Sequence, residues 1–182
     1  MSRQNSILIQ VAAFLAVFGQ AALTGPRQWL GAQVDLLPAL MVYAALHASL
    51  LNLGLFAVLG GLFFDSLSVN PLGITILPLF LVGLVIFLQR ELILRDLAFA
   101  QSLLGAAASA VVPLLATLLL LSGGKVLLLG WGSLWQWLVM ILGGAVATPV
   151  IFALFDWFNH AFDYQLRSET SFRPDREIRR NR

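Results

Sequence analysis

Long apolar runs, broken only by short polar stretches, constrain this chain more than any other feature. Several approach or exceed the ~20 residues a helix needs to cross a bilayer. Of its 182 residues 59% are hydrophobic and 11% charged, and the mean hydropathy is +0.88. In lipid every backbone polar group must be satisfied internally, so the choice is helices or a closed barrel. The strict alternation of a barrel strand is absent, which leaves an all-α, polytopic transmembrane bundle in one domain.

The runs predict about six spans. The first covers 6–23 and stops at Thr24-Gly25-Pro26. A short second helix, 36–49, opens with Asp35 as N-cap and Pro38 in its first turn. The third covers 53–67 and the fourth 71–88, with Pro78 as a kink point. The fifth covers 97–121, and Ser133-Leu134-Trp135-Gln136 reads as a capping box that opens the sixth. Trp29, Trp131, Trp135 and Trp137 suit membrane interfaces. Residues 1–160 form the membrane domain and 161–182 a basic tail. A five-span alternative fuses the second and third helices.

Charge placement orients the bundle. With six spans, one side receives Arg3, Arg90, Arg95 and the six arginines of the tail, nine of the eleven Lys/Arg residues. Arg27 and Lys125 fall on the other side. The positive-inside rule then places both termini in the cytoplasm. The tail suits anionic lipid, which lies beside it, better than nucleic acid, because no aromatic residues interleave its basic run.

Within this frame one stretch stands apart, Gly60-Gly61-Leu62-Phe63-Phe64-Asp65-Ser66-Leu67-Ser68-Val69-Asn70-Pro71-Leu72-Gly73. Asp65 is the only carboxylate between Asp35 and Glu91. It falls in the last turn of a helix, where an anion is disfavoured by a few tenths of a kcal/mol. Lipid adds up to about 3 kcal/mol at the bilayer centre and less near an interface. Asn70 and Pro71 read as N-cap and first residue of the next helix. Free N–H groups near Leu72 and Gly73 could compensate the carboxylate. The alternative is that Asp65 rests in headgroup water. Gly54, Val58, Gly61 and Asp65 are spaced along one helix face, and small residues there permit close helix approach. Similar small-residue stripes occur at Gly105 to Ala110 and at Gly143-Gly144.

Catalytic equipment is sparse. There is no cysteine, and the two histidines, His47 and His160, sit at helix ends without metal-pair spacing. No Ser/His/Asp order, zinc motif or phosphate loop occurs. Asp65 alone does not make an intramembrane protease. This pattern points to a protein with no enzymatic activity and no cofactor.

Gly61-Leu62, Asp65, Leu67-Ser68 and Leu72-Gly73 resemble the Gly-Leu-x-x-Asp-x-Leu-Ser…Leu-Gly pattern of the MreD family, bacterial rod-shape-determining membrane proteins. The entry Gln33-Val34-Asp35-Leu36-Leu37, followed by Tyr43, is also similar, although Val34 stands where the family often has Pro. The resemblance implies a bundle similar to the substrate-binding subunits of energy-coupling-factor vitamin transporters. It implies a scaffold in the bacterial inner membrane that supports peptidoglycan synthesis and rod cell shape. The implied partners are an MreC-like protein and, through the elongation complex, MreB, RodA and a class B penicillin-binding protein. The elbow residues Gly54, Gly61, Asp65, Asn70, Pro71 and Gly73 become candidates for a structural elbow and partner interface. The rival reading is a substrate-binding subunit of a vitamin-type transporter, which calls for polar side chains converging on a pocket.

Overall fold

A computed structural model describes residues 10–12, 14–19, 31–68, 71–93, 97–124 and 130–169, the last eleven of these by backbone alone. Among the described residues the chain is helical, with no strand. The helices are α1 (Gln10–Gly19), α2 (Leu37–His47), α3 (Leu50–Leu67), α4 (Ile76–Gln89), α5 (Ala98–Ser122) and α6 (Trp131–Glu169). Three of them, α3, α5 and the Trp131–Phe158 part of α6, are long and apolar enough to cross a membrane. The chain is an all-helical membrane bundle.

Two compact units divide it, Met1–Ile151 and Phe152–Arg182. The second begins within α6, whose backbone stays helical to Glu169. The helix therefore continues past residue 161, where the sequence suggested a polar tail. Residues 170–182, with most of the tail arginines, lie outside the described residues.

The first unit is built around α2. With eleven residues it is about 16 Å long, half the hydrocarbon thickness. A helix that is apolar all round must be enclosed. Every residue from Leu37 to Leu46 is buried, against α3, α4 and α5. A break at Ala48 and Ser49, both extended, separates α2 from α3, so the fused five-span alternative does not describe this fold. The N-cap of α2 is Leu36 and not Asp35, which stands one place earlier; the Asp35 carboxylate accepts the Leu37 N–H at 2.9 Å as a local side-chain-to-backbone bond.

Two expected helix starts need correction. The fourth helix opens at Ile76, not Pro71; residues 72–75 are turns, and Pro71 is exposed ahead of them. Asp65 draws the N–H groups of Gly73 and Thr75 toward itself, and Gly73 takes a left-handed φ of 89°, so a helix cannot run through this segment. The shift also changes the meaning of Pro78. It sits in the first turn of α4, where its missing N–H costs no helix bond, so it is not a mid-helix kink point.

The sixth helix starts at Trp131, and Gln136 does not close a capping box. Its amide instead spans 103 residues of sequence. Oε1 accepts the Gln33 N–H at 3.0 Å and Nε2 donates to the Gln33 carbonyl at 2.7 Å. The side chain thus satisfies both backbone groups of a part-buried residue outside any helix, which has no helical partner for them.

Candidate functional site

The elbow joins α3 to α4, the helix pair with the most extensive contact among the described elements. The buried positions of α3 are Leu53, Phe56, Ala57, Gly60, Gly61 and Asp65. Gly61 and Asp65 therefore share the inward face, as their spacing suggests. Val58 does not join them, being 42% exposed, and Gly54 is half-buried. Periodicity could not separate these faces, because α3 is apolar on nearly all sides.

At Gly61 the two helices nearly touch. A β-carbon there would lie 2.9 Å from Ile76 Cγ1 and 3.1 Å from both the Cα and N of Ile76. Gly60 fits beside Leu37, with 3.0 Å to Cδ1. Gly54 has ordinary room, 3.9 Å to Phe80, so it does not set the approach distance. Gly61→Leu is expected to lower the melting midpoint in detergent by roughly 5 °C, since overpacking costs about 1–3 kcal/mol. Gly54→Ala is expected to change it little. Equal melting of Gly61→Leu and wild type would refute the close approach.

Asp65 is 1% exposed. Its Oδ2 accepts the N–H of Gly73 at 2.8 Å and of Thr75 at 3.1 Å, and its Oδ1 accepts the Thr75 hydroxyl in a short hydrogen bond. Free donors preceding α4 thus offset the unfavourable position of an anion at the end of α3. Burial rules out the alternative of a carboxylate bathed in headgroup water. Gly73 acts through its N–H and its positive φ, a conformation that other residues rarely adopt. Sequence reasoning missed Thr75. The available signal was a hydroxyl residue two places beyond that glycine, in an otherwise aliphatic stretch. Pro71 makes no contact with the carboxylate among the hydrogen bonds of the elbow, and Asn70 lies outside the described residues.

Of the other polar side chains, His47 and Thr148 bond within one turn of their own helices, whereas the Ser109 hydroxyl is buried without a hydrogen-bond partner. His47 stacks on Tyr43 with ring centroids 4.4 Å apart, and its Nδ1 lies 3.2 Å from the Tyr43 carbonyl. Because a carbonyl only accepts, that contact selects the Nδ1–H tautomer. Thr148 donates to the Gly144 carbonyl one turn earlier, at 2.8 Å. Among the described residues no group of three His, Cys, Asp or Glu side chains could hold a metal ion.

A second close approach lies where α5 crosses α6. A β-carbon at Gly105 would strike Thr148 and the Gly144 carbonyl, and one at Gly144 would strike Ser109. Gly105 and Ser109 are one turn apart, as are Gly144 and Thr148, so paired small-xxx-small faces meet. Both small-residue stripes are therefore occupied, at least here, by contact within the chain. Gly143 likewise abuts Val34.

No protein-family model matches the chain, and neither a curated protein nor a solved structure matches it.

Proposed function

We propose that this protein is a non-enzymatic scaffold of the bacterial inner membrane, of the MreD kind. It holds an MreC-like partner with one membrane span and so supports peptidoglycan synthesis and rod cell shape. This reading puts both termini in the cytoplasm, and the asymmetry of basic residues across six spans supports it.

The observation that carries the reading is the closed elbow in the stretch that bears the resemblance. Both Asp65 oxygens are engaged by Gly73 and Thr75, within ten residues of sequence. An intramembrane carboxylate is a functional-site candidate by default, for proton relay, ion binding or ligand contact. One that is saturated by its own hairpin serves to fix the angle between two helices. That suits a protein whose task is to present a rigid surface.

The test is co-expression with the MreC-like protein of the same cell, followed by purification through a tag on one of the two. A complex that survives gel filtration is the expected result. Complete separation in gentle detergent and in lipid nanodiscs, with a vitamin-sized molecule retained on this chain alone, would replace the scaffold with a transporter subunit.

A further inference from the structure

Ser109 stands near the middle of α5, fully buried where α6 crosses, and its hydroxyl has no hydrogen-bond partner. Hydroxyl side chains inside helices commonly bond the carbonyl four residues back. Two neighbours do so. Thr148 on α6 donates to the Gly144 carbonyl, and Thr117, further along α5, donates to the Pro113 carbonyl at 2.7 Å. For Ser109 the corresponding acceptor is the Gly105 carbonyl, and that bond is not made.

The packing of α6 accounts for the difference. A β-carbon at Gly144 would strike the Ser109 hydroxyl and would lie 2.8 Å from the Gly105 carbonyl oxygen. The glycine hydrogen that points in that direction therefore faces both oxygens, as in a weak Cα–H···O contact. Such a contact engages the Ser109 oxygen and leaves its proton unpaired. In the apolar interior of a membrane bundle an unpaired donor is costly. Parting α6 from α5 takes Gly144 away from the hydroxyl, whose proton then turns back to Gly105 as that of Thr117 turns to Pro113. The closed seam gains dispersion contacts, and the parted seam gains a hydrogen bond. The amide clasp between Gln136 and Gln33 lies eight residues before Gly144, about 12 Å along α6, and holds in both arrangements.

We propose that the crossing of α5 and α6 is a two-position joint. Glycine packing closes it, the Ser109 hydroxyl opens it, and the Gln33–Gln136 clasp is its pivot. The joint is independent of the scaffold reading. Any binding event that favours one position of α6 shifts the balance between the two.

Distances between paired spin labels in lipid nanodiscs test this on the full chain. The chain has no cysteine, so single cysteines at Leu103 on α5 and Val146 on α6, both well exposed, give one label pair. Labels at Leu103 and Val150 repeat the measurement from a second exposed position. Two interlabel distances are expected in the otherwise wild-type chain. Ser109→Ala deletes the unpaired donor and should shift the population toward the closed distance about tenfold. Thr148→Val deletes a hydroxyl that is already bonded and should not favour the closed distance. A single distance in the otherwise wild-type chain, an unchanged distribution in Ser109→Ala, or an equal shift in Thr148→Val would overturn the proposal.

Discussion

Asp65→Leu is expected to lower the melting midpoint of the detergent-solubilised protein by on the order of 10 °C, and Asp65→Asn by much less. Leucine leaves the Gly73 N–H, the Thr75 N–H and the Thr75 hydroxyl without their acceptor, in a place where Asp65 itself is 1% exposed. Each orphaned buried group costs about 1–3 kcal/mol, and because the Gly73 N–H is only part-buried the loss falls in the lower part of the summed range, near 3–5 kcal/mol. At about 2–4 °C per kcal/mol for a chain of this size, the expected shift results. Asparagine behaves differently because both N–H groups converge on one oxygen, Oδ2. An amide oxygen can occupy that position, and the amide nitrogen can donate to Thr75 Oγ1, whose own proton then turns elsewhere. Thr75→Val removes one donor and should fall between the two. Thermal melts of the three variants check the order. Coincident curves for Asp65→Leu and wild type would mean that the carboxylate does not tie α3 to α4.

The second large effect is expected at the crossing of α5 and α6. Gly105→Leu should destabilise the bundle more than Gly61→Leu, because its β-carbon would come much closer to the Gly144 carbonyl and the Thr148 side chain than the 2.9–3.1 Å that separates a Gly61 β-carbon from Ile76. Two helix axes must separate to admit it, and the dispersion contacts along the small-residue seam weaken together. Gly144→Leu should do the same through Ser109 and the Gly105 carbonyl. Once one substitution has parted the helices, the other finds room, so the double variant should lose clearly less than the sum of the singles. Melting midpoints of the two singles and the double, in one detergent, measure this. Additive losses would indicate that the two glycines do not share a contact.

Several features of this fold were legible because lipid simplifies the problem. Helix α5 was expected over 97–121 and occupies Ala98–Ser122, since an apolar run between polar stops has little other option. The compensation of Asp65 by N–H groups near Gly73 followed from placing an anion at a helix end. What could not be read is which face of an apolar helix turns inward. In α3, Leu53 is fully buried and Leu55 is 48% exposed, and the two residues are chemically the same. The start of α4 was misplaced because Pro71 satisfies local rules for a first helical residue, while a side chain several residues upstream claimed the donors. Gln136 was misread for a related reason. A local capping rule cannot anticipate a partner such as Gln33 on a distant segment of the chain.

That clasp has a consequence for how the protein is made. Gln33 leaves the ribosome before five of the six helices, yet the side chain that satisfies its N–H and carbonyl arrives 103 residues later. At about 5–20 residues per second of synthesis, the gap lasts roughly 5–20 seconds. Throughout that interval the segment ahead of α2 must find water or a chaperone for its backbone. The short, all-apolar α2 also lacks the helix α5 that helps to enclose it, until that helix has been inserted. Docking of α6 is therefore a late checkpoint, at which the earliest loop of the described bundle is sealed by its last helix.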